Sequence, residues 1–260
     1  MTLNQTNASD WITFASEVHK ALWEAADDAM EHANEATNSW SAKNVAIRLL
    51  LRSCDNFKGV IVLIKSDLVA ESRAITRCLI ENAFGARELL SDESKYIDML
   101  LDDHACSQLR RSETILSSSS MCERLSEPER LKQFKNSIDK RRKFIDQKSL
   151  ADKGASKSLY LIYQWLSDDA LHTTAQSLRR YVGLYDKTQP GCRWSVVTHA
   201  EHIDTLYYAI FAALTVGLSV SQLLGTKDAN SVLAHLDQRL NTMKPAERTY
   251  YNFMEMIPMQ

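Results

Sequence analysis

The chain has 260 residues, 45% hydrophobic and 25% charged, with a net charge of −2 at pH 7; this is the mix of a globular protein, not of a disordered or fibrous one. Its 7 Gly and 4 Pro are roughly a third of the usual combined share of about 12%, which argues against turn-rich sandwiches, barrels and propellers and against Gly-rich phosphate loops. The near-neutral charge excludes a global basic field that would draw the chain onto nucleic acid or an anionic membrane.

In chain order the pattern reads as helix after helix. Ser9 or Asp10 is expected to cap a first helix reaching about Thr37, with Trp11, Phe14, Val18, Leu22, Ala25 and Met30 as its apolar stripe. A second helix is expected from Ala42 to Ile64; its β-branched end, Val60 to Ile64, has no hairpin partner nearby and reads as buried helix. A third runs from Leu68 to Leu90 with Ser66 or Asp67 as N-cap, and a fourth covers about 93–117. Ser117–Ser120 reads as a polar connection. Pro128 opens a fifth, basic helix (127–153) that ends at Lys153-Gly154. A sixth segment spans Ser156 to about Val182, broken near Ser167–Asp169 or His172–Thr174. The stretch 183–195, with Gly183, Pro190 and Gly191, reads as a loop.

Thr198 and Glu201 form a capping box for a seventh helix that runs to Gly225. A shorter one follows from about Ala229 to Asn241, and the tail after Pro245 has little pattern. The expectation is an all-α bundle of about seven or eight helices in one domain over 1–260. Its core lies at about 40–225, and the basic helix forms a semi-independent lobe.

Thr205 to Thr226 holds no charged residue over 22 positions, long enough to span a bilayer. Thr215, Ser219, Ser221 and Gln222 and the absence of flanking Lys/Arg clusters favour a central buried helix instead. Five widely spaced cysteines without a CxxC point to a reducing compartment. The polar Met1–Trp11 stretch has no signal-peptide core, so a cytoplasmic location is expected.

Three constellations carry chemistry-bearing side chains. On the third helix Ala70, Ala74, Arg77, Glu81 and Phe84 share a face. Arg77 and Glu81, at i, i+4, form either a structural ion pair or a ligand-facing Arg oriented by a carboxylate. In the sixth segment Tyr163, Ser167, Asp168, Asp169 and His172 lie within ten residues. Asp168 or Asp169 reaches His172 at helical spacing, which suits general acid–base work or a capped helix break. Residues 120–158 carry eleven Lys/Arg against six Asp/Glu, densest at Lys140, Arg141, Arg142 and Lys143; this is either a solvated face or a phosphate-facing patch. His199 and His202 lack a local third ligand. With no HExxH, GxSxG, GxGxxG or Walker loop, no metal or cofactor is expected. Trp11, Trp23, Trp40 and Tyr96 sit at helical spacing and read as core.

The run Ala74-Ile75-Thr76-Arg77-Cys78-Leu79-Ile80-Glu81 resembles the A..xR.l.E helix of a mostly bacterial family, domain of unknown function 5677. Tyr163, Leu166, Ser167 and His172 resemble its Y..lS..vH mark. The resemblance covers about 40–225 and implies a helical bundle with no established activity. A more distant similarity is to HEPN (higher eukaryotes and prokaryotes nucleotide-binding) bundles, often dimeric, many of them metal-independent ribonucleases of defence systems. Their Arg a few residues before the His is missing here, where Ser167, Asp168 and Asp169 stand.

Two readings follow. In one, a defence-related or regulatory module acts through a protein partner or a homodimer, and Arg77, Glu81, Ser167 and His172 form a buried network joining two helices. In the other, a ribonuclease uses His172 as acid or base, positioned by Asp168 or Asp169, with Arg77 on a phosphate, Glu81 orienting it, and Lys140–Lys143 holding RNA without sequence preference.

Overall fold

In a computed structural model the described residues are 7–35, 38–139, 142–152, 157–185, 189–195 and 197–243. They are almost wholly helical, as the Gly/Pro scarcity implies. The elements are α1 (Ala8–Glu31), α2 (Ala42–Lys65), α3 (Val69–Ser91), α4 (Glu93–Ser117), a short α5 (Ser119–Cys122), α6 (Pro128–Ser137), α7 (Gln147–Asp152) and α8 (Lys157–Leu166). A π-helical turn (Ser167–Leu171) and α9 (Ala175–Arg179) follow. Then come β1 (Val182–Tyr185), β2 (Gln189–Cys192), α10 (His199–Leu224) and α11 (Lys227–Thr242).

The uncharged stretch becomes α10, the helix the others pack around; α1, α2, α3 and α11 all lie against it. Leu206, Ala209, Ile210, Ala213, Leu214 and Val216 are fully buried. It is the one helix among the described residues long and apolar enough to cross a membrane, with a mean hydropathy of 1.6. Gly225 ends it in the left-handed conformation at φ 76°, where a Cβ would be strained. α1 contributes Trp11, Phe14, Val18 and Leu22 to the core, and α2 contributes Leu50, Phe57 and Val60. The Thr198–Glu201 capping box is formed as read from the sequence.

Several local expectations are corrected. α1 is capped by Asn7, whose side chain accepts from the Asp10 N–H while Asp10 returns a bond to Asn7; Asp10 serves as the N3 partner of that box. α1 gives way to a 3₁₀ turn after Glu31, short of Thr37. Neither Ser66 nor Asp67 caps α3: Leu68 stands there without a side-chain bond, and Asp67 takes a left-handed φ of 58° with its Oδ1 3.1 Å from His202 Nε2.

The basic helix does not run from 127 to 153. α6 stops at Ser137, Ile138 is extended, and helix resumes only at Gln147. α6 buries no residue, so no apolar face holds a continued helix against the bundle, and a short helix without tertiary packing is marginal in water. The loop expected over 183–195 contains a β-hairpin, with Gly183 opposite Gly191. Trp23, Met30 and Trp40 are exposed over somewhat less than half of their surface, unlike Trp11 and Tyr96, which are core.

Candidate functional site

α3 sets two arginines one turn apart on a single face, and each heads its own polar cluster against the π-helical turn. Arg77 heads the outer one. Its Nε donates to Ser167 Oγ at 2.7 Å and its Nη2 to the Tyr163 hydroxyl at 2.6 Å. Nη1 lies 3.1 Å from Glu81 Oε1, and the guanidinium stacks 4.5 Å above the Tyr163 ring. Tyr163 completes the circuit by donating to Glu81 at 3.2 Å. Burial, and then the neighbouring Glu81 carboxylate, push the Tyr163 phenol up to about 12, against the opposing Arg77 charge. At neutral pH that hydroxyl stays protonated and acts as a hydrogen-bond relay, not as a base.

Arg73 heads the deeper cluster, 3% exposed. Its Nη1 donates to Asp169 Oδ2 at 2.7 Å and lies 3.4 Å from Glu201; its Nε donates to Thr205 Oγ1 at 3.2 Å. Trp165 covers one side of the guanidinium at 4.4 Å. Arg180, at the end of α9, forks onto both Asp169 oxygens at 3.2 and 2.6 Å and donates to Glu201 at 2.8 Å. Two guanidinium groups thus face two carboxylates with no net charge left over.

Burial lowers the Arg73 pKa against the pull of Asp169. For Arg180 burial pulls the same way but is outweighed by Asp169 and Glu201, and the net direction is up. Glu201 is held below its ordinary 4.5: burial opposes this, and the Thr198 backbone bond with the two arginines prevails.

Of the residues singled out in the sequence, Arg77, Glu81, Tyr163 and Ser167 come together. His172 does not join them. The π turn ends at Leu171 and His172 is extended, with its ring exposed. Its backbone N–H bonds Ser167 O at 3.3 Å, while no described residue pairs with its imidazole. The helical register that would bring Asp168 to His172 is broken at this point. Asp168 is exposed, and its carbonyl accepts from Thr174 Oγ1, the cap of α9. Asp169 points the other way, into the arginines.

Arg142 pairs with Asp102 on α4 at 3.1 Å, Lys143 is exposed, and Lys140 and Arg141 lie outside the described residues. Among the described residues no group of three or more His, Cys, Asp or Glu is placed to hold a metal. A groove of about 530 Å³ runs past Phe84, Leu150, Phe211 and Leu218 and includes none of Arg77, Tyr163, Ser167 or His172.

Sequence reading missed Arg73, Arg180 and the second role of Glu201. A signal was present: Arg73, Arg77 and Glu81 fall at i, i+4, i+8, and one carboxylate cannot satisfy two buried guanidinium groups.

A helical bundle with paired arginines on one helix, closed onto an aromatic and acidic segment more than eighty residues downstream, is the class that this fold and site define. Residues 43–189, more than half of the chain, match the model of a family of unknown function (DUF5677), and the chain belongs to that family. No curated protein and no solved structure matches it.

Proposed function

We propose that the protein is a non-catalytic helical module of a regulatory or defence-related kind, acting through a protein partner or a second copy of itself. The observation that carries this reading is the Arg77 circuit: the guanidinium is held by Ser167, Tyr163 and Glu81, and His172 stands outside it. A phosphate-binding arginine would need donors open to the ligand and a general base beside them. Here Tyr163 is kept protonated and Asp169 is committed to two arginines. The polar residues serve the packing of α3 against the π turn and α10, leaving exposed surface for recognition.

The competing reading, a HEPN-like ribonuclease, makes a different demand on His172. Labelled total RNA, incubated with EDTA and either wild type or His172→Ala, separates the two. The module reading expects no cleavage by either protein and a melting temperature for His172→Ala equal to wild type, because surface changes usually stay within about 0.5 kcal/mol. Cleavage by wild type that is lost in a still-folded His172→Ala would overturn it.

A further inference from the structure

α10 is buried along most of its circumference, yet one stripe of it stays partly open. Phe211, Thr215, Leu218 and Gln222 recur at i, i+4, i+7 and i+11, and all four line the groove of about 530 Å³ described above. Phe84 of α3, Leu150 of α7 and Asp237 of α11 line it as well. At the helical rise per residue the stripe is about 16 Å long. An open apolar strip on the central helix of a bundle is a place where something docks.

The chain carries a segment of matching chemistry. Residues 244–260 follow α11 and lie outside the described residues. Six of the eight residues 250–257 are large and apolar, and Glu255 is the one charge among them. Tyr250, Phe253, Met254 and Ile257 stand at i, i+3, i+4 and i+7, while Asn252 and Glu255 fall on the opposite face. This is the anchor spacing of an amphipathic helix that lies in an apolar groove. Eight residues make about 12 Å of helix, which fits within the stripe. A helix this short is marginal in water and needs a surface to pack on. Of the other stretches outside the described residues, 1–6 holds only Met1 and Leu3 as apolar residues, and the rest are four residues or shorter.

Reach and position favour the same occupant. Gly225 and Thr226 turn the chain back, so α11 runs antiparallel to α10 and packs on it. Met243, packed against the core, stands one and a half turns, about 9 Å, past the groove-lining Asp237. Pro245 cannot continue the helix. Residues 244–249 extend to about 20 Å, more than is needed to bring Tyr250 back to the groove. A tether this short gives an effective concentration on the order of millimolar, which a second copy at micromolar concentration cannot match with the same contacts. We infer that residues 250–257 dock along α10 in this groove of their own chain, as a short helix whose Tyr250, Phe253, Met254 and Ile257 meet Phe211, Leu218 and Phe84. The inference goes beyond the module reading and does not depend on it.

The test places the photo-crosslinker p-benzoylphenylalanine at position 253 of the full-length protein, in place of Phe253, and maps its adducts by mass spectrometry. Amide hydrogen exchange over 250–257 is measured in parallel on wild type. The expected result is an adduct to α10 or α3 at the groove, in the monomer band of a denaturing gel. The amides should exchange about tenfold or more slowly than in a free peptide of the same sequence. Thr215→Glu sets a charge in the groove and Met254→Glu sets one in the apolar stripe of the segment. Each should remove both the adduct and the protection while the bundle still melts cooperatively. Met254 lies outside the bundle, so its variant keeps the test open if Thr215→Glu unfolds. Adducts found only in a dimer band would give the groove to a second copy and overturn the inference. Adducts elsewhere, or exchange at the free-peptide rate, would overturn it as well.

Discussion

Asp169 holds two buried guanidinium groups at once, and removing it leaves both without their closest carboxylate. Breaking a buried ion pair by deleting one partner typically costs about 3–5 kcal/mol, because the orphaned charge stays desolvated. Asp169→Ala is therefore expected to lower unfolding stability by about that amount in urea titrations. Glu201 gives the same cluster a pH dependence of known sign. Its carboxyl is held below 4.5 in the folded state. Its stabilising contribution is therefore complete above that ordinary value and is lost as pH falls through the depressed one. The melting temperature of wild type is expected to drop over this acidic window, and that of Glu201→Gln to drop less over the same window.

At this scale the sequence was half legible. Arg77 and Glu81 announced themselves by i, i+4 spacing, and Glu201 by its capping box. Arg180 could not be placed, because its partners are set by a tertiary fold that brings the end of α9 within reach of Asp169 and of Glu201 in the first turn of α10.

The elements show where local pattern suffices and where packing decides. α2, α4 and α10 begin and end within a residue or two of the expected bounds; α2 and α10 bury long apolar stripes, whereas α4 buries only Tyr96, Cys106 and Ser112. The 127–153 stretch has helix-forming residues, but α6 buries none of them and it is α7, with Leu150 and Ala151, that packs into the core, so propensity alone did not hold one continuous helix together. The π turn is a further case: its extra residue per turn directs Asp169 inward and leaves His172 at an extended break, which an ideal 3.6-residue reading cannot anticipate.

Close approach of elements leaves its mark as well. Gly85 on α3 lies under the buried Tyr96 ring of α4, and a Cβ at Gly85 would collide with that ring. Alanine ordinarily gains about 0.5–1 kcal/mol over glycine within a helix. Here the clash with a rigid, buried ring is expected to reverse the sign, and Gly85→Ala should lower stability by about 1–3 kcal/mol in denaturant titrations.

Across the whole molecule, an apolar helix is enclosed by α1, α2, α3 and α11, while the polar seam lies along one side, where α3 meets the π turn and the start of α10. The helical class was readable from composition, and α10 from its missing charges. The hairpin was hidden by the Gly and Pro that punctuate it, and the closure of the seam by contacts from α3 spanning 82 to 132 residues.

If that seam is a closed structural circuit, the four side chains Arg77, Glu81, Tyr163 and Ser167 stand or fall together. Urea unfolding of Arg77→Met and of the double variant Arg77→Met/Glu81→Gln tests this most directly. The single substitution should cost about 1–3 kcal/mol, because the Glu81 carboxylate loses its cation and Ser167 Oγ its donor, and the second should recover a large part of that loss. A single variant as stable as wild type, or more stable, would contradict the closed circuit and mark Arg77 as a residue kept for a ligand.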